Sequence, residues 1–413
     1  MNLKNFSKIK EDFNLPNVVY LDNAATTFSP EIVTGKLVEY HQNYKANIHR
    51  AVHSLGIKAT DEYEAVRQKV ARLVNAKTKN EVVFTSGTTH SINLIAFGFC
   101  NKWGPKDTVI VPESEHHANL LPWIKASEQY GFQFKTVNVI KDGSLDMGHL
   151  VELLEETQGK VLFSMAHINN TIGNVQPVRT IFEIVKSFDG ITVLDAAQSV
   201  AKCEIDMNND RIDMLAFSAH KLYGPTGVGV LVGRVKYLDK IDPLLWGGDM
   251  VSSVHWGSIG KNAIPYRLEA GTPNIGGVIA MGAAIDWFKS YDIESFISHN
   301  LLMNATIQMA FNEMDFIEVF HPGDYKGGLI SFNMKGQHPE DIAQLLNAQK
   351  IAVRSGYLCA QPIVEEKFPN GMLRASWACY NTKEDIDALV NALNKIHGIL
   401  DNRTRNTATI EIT

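Results

Sequence analysis

The chain has 413 residues, of which 45% are hydrophobic, and a formal net charge of −6. That length exceeds one small core and is ample for a large sheet between helix layers, with roughly two or three domains expected. The acidic balance, without a dense basic block, argues against a nucleic-acid or membrane-surface partner.

The N-terminal 15 residues mix Lys, Asp and Glu with isolated apolar positions and lack the apolar centre of a signal peptide. No apolar run reaches the length of a membrane span. A cytoplasmic location is therefore expected, where thiols stay reduced. The four cysteines, Cys100, Cys203, Cys359 and Cys379, have neither C-x-x-C nor zinc-ligand spacing.

In chain order, short β-branched runs at 81–85, 108–111, 161–165, 191–194 and 213–217 read as buried strands. Amphipathic stretches such as 61–73 and 175–188 read as helices between them. Alternation of this kind implies an α/β fold with a mainly parallel sheet and helices on both faces. Ligands bind such sheets at the carboxyl ends of the strands. Past about 287, helical stretches at 298–312, 339–349 and 383–400 flank short strands near 329–333, 351–354 and 373–376. This α+β pattern predicts a large unit over 16–286 and a smaller one over 287–413, joined by residues 1–15. The tail after Leu400 reads as frayed or edge-like.

The polar clusters follow the predicted strands. Thr85-Ser86-Gly87-Thr88-Thr89-His90 opens an apolar helix, where free N–H groups and hydroxyls suit a phosphate. Taken alone, it reads more readily as a glycine turn with threonine caps. Glu115-His116-His117-Ala118-Asn119 follows the next strand, so a histidine there can face a flat ring or serve as a simple cap. His49 and His53 have half of a zinc-helix spacing, but Arg50 stands where such a motif needs glutamate, so no metal is expected. Asn170, after the 161–165 run, suits a cofactor oxygen, a substrate carboxylate or an Asx turn. Asp195 and Gln198 follow the 191–194 run, and Lys221 follows the 213–217 run in Ser218-Ala219-His220-Lys221. A desolvated lysine forms a Schiff base, and a carboxylate pairs with a pyridinium nitrogen; together they are the protein half of pyridoxal phosphate chemistry. Arg354 and Arg374 suit a carboxylate or a structural ion pair. Cys359 lies in a loop marked by Gly356 and Pro362, near arginine, where it suits a reactive thiolate or an inert small residue.

With these residues assembled, the chain resembles the cysteine desulfurases of the class V aminotransferase family, in the selenocysteine-lyase-like branch. The likeness runs from Y-L-D-N-A-A-T-T at 20–27 through E-H-H-A-N, D-A-A-Q, S-A-H-K-L-Y-G-P-T-G, E-A-G-T-P-N and R-S-G-x-x-C-A to R-A-S-W-A-C-Y-N-T-K-E-D at 374–385. The resemblance implies pyridoxal phosphate fold type I, with a seven-stranded-type sheet, and pyridoxal 5'-phosphate as cofactor. It implies Lys221 as the Schiff-base and proton-carrying residue, Asp195 at the pyridine nitrogen, Gln198 at the ring hydroxyl and His116 on the ring face. Thr88, Thr89, Ser218 and His220 would hold the phosphate, with Thr272 reaching that of a partner subunit in a homodimer. Arg374, with Asn170 and Arg354, would bind the carboxylate of L-cysteine or L-selenocysteine. Cys359 would carry the sulfur as a persulfide to a protein acceptor, for iron–sulfur clusters, tRNA or another product. A lyase or transaminase without a persulfide is the alternative. The chain departs from the branch at Tyr357 and Leu358, where a histidine pair is usual, at Ser86, where a basic residue is common, and over 254–264.

Overall fold

A computed structural model describes residues 3–320 and 327–410. Seven strands form the main sheet: β1 (Val82–Thr85), β2 (Thr108–Pro112), β3 (Gln133–Val137), β4 (Val161–Ala166), β5 (Ile191–Asp195), β6 (Met214–Ser218) and β7 (Gly229–Gly233). Their order is β1-β7-β6-β5-β4-β2-β3. All neighbouring pairs are parallel except those of β7, which runs antiparallel to both β1 and β6. This is the mainly parallel seven-stranded α/β fold that the sequence predicts.

Apart from the edge strand β3, the strands are buried almost throughout because both of their faces are covered. In β6, Leu215 and Phe217 enter one apolar cluster and Met214 and Ala216 the other; Ile110 of β2 likewise points opposite to Val109 and Val111. This is the two-residue alternation of a strand buried on both sides. Helices Ser54–Leu73, Val178–Ser187 and Ile275–Lys289 cover one face, and Thr88–Gly98 and Leu121–Tyr130 the other.

A second sheet is antiparallel, with strands Ile317–Val319, Leu329–Met334, Met372–Ser376 and Arg354–Gly356 in that order. Helices Ile293–Asn312, Pro339–Ala348 and Lys383–Ile410 accompany it, and Met303, Ile307, Phe332, Leu373, Leu389 and Leu393 share its core. The last helix continues ten residues past the predicted end at Leu400. Near the N-terminus, Val19–Tyr20 pairs with Ile351–Ala352 and Leu21 joins the second core. Residues 19–24 therefore lie along the seam between the sheets, which brings Asp22 and Ala24 toward the strand ends. Earlier still, Ile9 and Phe13 pack in the same cluster as Trp287 and Tyr291, against the larger sheet. Most of the stretch 254–264 belongs to an antiparallel hairpin, Val251–His255 with Ser258–Lys261. Among the described residues, no helix is long and apolar enough to cross a membrane.

Candidate active site

A cavity of about 490 Å³ opens at the carboxyl ends of β2, β4, β5 and β6, beside the second sheet. Thr88, Thr89, His116, Asn170, Asp195, Gln198, Ser218, His220, Lys221, Arg354, Cys359 and Arg374 all line it. Of the site residues expected from the sequence, only Thr272 does not; it is exposed on the approach to helix Ile275–Lys289.

The floor is built by strand ends. Asp195, the last residue of β5, is buried, and its Oδ1 accepts the Ala197 N–H at 2.9 Å. Burial raises its pKa, opposed by that backbone bond and by the charge of Lys221. A buried carboxylate with one backbone bond is matched to a cation on a ligand ring. Lys221 ends the short turn that follows β6, and burial pushes its ammonium down to about 8. Asp195 opposes that shift and Arg374 adds to it. A lysine so depressed holds a sizeable neutral, nucleophilic fraction near neutral pH. Gln198 is tied down by donating to Ala24 O at 2.7 Å.

Thr88 begins the helix after β1, and its N–H and hydroxyl meet Ser218 Oγ at 2.9 and 2.8 Å. Gly229 of β7 makes this approach feasible: a Cβ there would stand 2.3 Å from Gly87 Cα. A helix N-terminus with two hydroxyls beside it is a ready anion site. His220 Nδ1 contacts Thr26 Oγ1 at 3.2 Å, and burial, then Lys221, holds the ring down at about 4.

His116 caps the turn after β2, its Nδ1 accepting from Ala118 N–H at 2.9 Å. Burial, then Lys221, lowers its pKa to about 3, so the ring is neutral and carries its hydrogen on Nε2. Glu115, which no sequence argument singled out, anchors this loop. Its two oxygens accept from Ala166 N–H and Asn119 Nδ2, each at 2.7 Å, and burial pushes it up to about 8.

The opposite wall belongs to the second sheet. Arg374 is buried, donates to Asn170 O at 2.9 Å and meets Asp22 at 3.3 Å. Burial, only partly offset by Asp22, brings it down to about 10. Its Nε and the Oδ1 of Asn170 are buried polar atoms with no hydrogen-bond partner among the described residues. Two such atoms on one cavity wall suit a polar ligand. Arg354 is exposed and grips Asp22 through Nε at 3.1 Å and Nη2 at 2.7 Å, which raises its pKa. Asp22, also missed in the sequence, thus serves two arginines; its motif position was visible but its partners were not.

Cys359 is the exposed cysteine, whereas Cys100 and Cys379 are buried and their thiols are pushed up by burial. His49 and His53 share no helix: His49 precedes it and His53 caps it.

A profile of the class-V aminotransferases matches residues 19–389. The chain belongs to that family. It is 37% identical over 388 residues to a cysteine desulfurase of Haloferax volcanii, covering 93% of this chain and 91% of the relative. Its fold is similar to the apo structure of the cysteine desulfurase from Thermococcus onnurineus NA1, with a TM-score of 0.90, 32% identity and 96% and 98% of the two chains covered. A cysteine desulfurase of Escherichia coli solved as an S-sulfonic acid aligns with a TM-score of 0.88 at 35% identity, over 96% of this chain and 100% of that one. Pyridoxal 5'-phosphate is the cofactor of this family. The cavity fits it on its own evidence: a cation-matched carboxylate in Asp195, a depressed amine in Lys221 and an anion cradle at Thr88 and Ser218.

Proposed function

We propose that the chain is a pyridoxal-phosphate-dependent cysteine desulfurase, converting L-cysteine to L-alanine and taking the sulfur on Cys359. The observation that carries this reading is one cavity lined by both the depressed Lys221 amine and the exposed Cys359 thiol. The names of the relatives favour it over a selenocysteine lyase or a transaminase.

In this reading Thr88, Thr89, Ser218 and His220 hold the phosphate, while Asp195 faces the ring nitrogen, Gln198 the ring hydroxyl and His116 the ring. When bound, the cofactor supplies an electron sink that acidifies the substrate Cα–H. Lys221 carries that proton. Arg374 binds the substrate carboxylate, helped by Asn170 Oδ1 through the substrate amine and with Arg354 at the mouth. Cys359, as thiolate, attacks the substrate Sγ. An S–S bond forms, and the Cβ–Sγ bond breaks with its electron pair left on Cβ. A proton then goes to Cβ, giving alanine and a persulfide on Cys359.

The remaining roles are proposals of the same kind. Thr272 lies outside its own chain's cavity, and the hairpin exposes Trp256, Val254 and Ile259; both support a homodimer in which Thr272 serves the partner's phosphate. A cytoplasmic protein acceptor for the persulfide, serving iron–sulfur clusters, tRNA or another product, is proposed from the family resemblance, and the exposure of Cys359 supports it. Two units are proposed, 16–286 and 287–413; the packing of Ile9, Phe13, Trp287 and Tyr291 supports moving residues 1–15 and the seam itself toward the larger one.

The test is to incubate the purified protein with L-cysteine and follow the peptide that contains Cys359 by mass spectrometry. One extra sulfur, with alanine released, is expected. An unmodified Cys359 alongside continuing cysteine turnover would instead establish a lyase.

A further inference from the structure

Leu358 and Cys359 both have left-handed backbones, with φ of 54° and 57°. Two consecutive side-chain-bearing residues in that region are held against their own preference. Something outside the segment has to hold them, and the contacts show what it is. Asn170 Nδ2, from the loop after β4, donates to Leu358 O at 2.7 Å. His117 N–H, from the turn after β2, donates to Cys359 O at 2.7 Å. The His117 ring then reaches past the cysteine, its Nε2 accepting the Gln361 N–H at 3.2 Å. One histidine therefore grips the chain at Cys359 and again two residues later. Leu358 completes the seating: its side chain is buried with Ile172, Ile363 and Val364.

We infer that His117 is a positioning residue for Cys359, holding the thiol-bearing loop of the second sheet at the mouth of the cavity built by the first. The same turn carries His116, so the residue that faces the cofactor and the one that seats the thiol are covalent neighbours. The apolar Leu358 suits this arrangement, since it anchors the loop by burial while His117 supplies the polar hold. The consequence for the reaction rests on Cys359 being the sulfur acceptor; the clamp itself does not.

The experiment uses the full chain loaded with cofactor. Iodoacetamide labelling of Cys359 is timed by mass spectrometry in the wild type, His117→Ala and His117→Gln. Loss of one hydrogen bond frees the loop about five-fold. Labelling of His117→Ala is therefore expected to accelerate and persulfide formation from L-cysteine to slow by a similar factor, with the absorption band of the bound cofactor unchanged. His117→Gln, whose amide oxygen can accept the Gln361 N–H, is expected to restore both. Unchanged labelling in His117→Ala, or no recovery in His117→Gln, overturns the inference. If His117→Ala does not fold, hydrogen exchange decides in the wild type: a Gln361 amide that exchanges as fast as a free peptide overturns it, and a protected one supports it. A wild type that forms no persulfide but still shows the labelling difference would defeat the desulfurase reading and leave the clamp standing.

Discussion

The two walls of the cavity are built on opposite plans. The cofactor wall sits on strand ends of a sheet buried on both faces, so Asp195 and Lys221 inherit their places from the core beneath them. The thiol wall is a three-residue edge strand and a strained turn, held by contacts from elsewhere in the chain. The first wall tunes charge by desolvation; the second leaves its thiol exposed. In the proposed desulfurase, a carrier of sulfur has to be reachable, and a cofactor's carboxylate and amine have to be dry.

Substitutions that strike one wall and spare the other test this contrast. The largest effect is expected from Cys359→Ala: sulfur release from L-cysteine is abolished while the cofactor's colour remains, read by sulfide assay and absorption spectrum. A survival of activity would merge the two walls into one.

Gly229→Ala strikes the cofactor wall alone. Its Cβ would meet Gly87 backbone at 2.3 Å, so the β1 loop has to move. Overpacking of this kind costs about 1–3 kcal/mol. A lower denaturation midpoint and weaker cofactor retention are expected, with iodoacetamide labelling of Cys359 unaltered.

Lys221→Met is expected to stabilise the cofactor-free chain. The folded-state pKa of Lys221, about 8, lies below the ordinary 10.5. Below pH 8 the folded chain therefore carries a buried ammonium that the unfolded chain solvates. That cost is fully present below pH 8 and disappears as pH rises to about 10.5. At pH 7 the gain is on the order of 3 kcal/mol, and it should shrink toward pH 10. Chemical denaturation at both pH values checks it, and an equal gain at both would refute the desolvation account.

The smallest effect is expected from Asp22→Asn, which touches the seam. It loosens both Arg354 and Arg374, so KM for L-cysteine should rise about five-fold with kcat nearly unchanged. Steady-state kinetics read it; a fall in kcat with KM constant would place Asp22 in the chemistry instead.

The sheet was legible because strands buried on two faces are short continuous apolar runs, and the chemistry-bearing residues follow them immediately. Asp195, Lys221 and Ser218 could be placed on that rule alone. The edge strand β3, with its half-exposed residues, had no such run and went unseen. Glu115, Asp22 and His117 were unreadable for a different reason: their roles exist only through partners far along the chain. Asp22 meets Arg354 across 332 positions, and His117 meets Gln361 across 244.

Local order alone thus showed which polar residues stand at the carboxyl ends of the strands, because burial imposes a period on the sequence. Which of them face one another was decided by the packing of the second sheet against the first. Contacts across hundreds of residues leave no periodic trace, and here they bring the thiol to the amine.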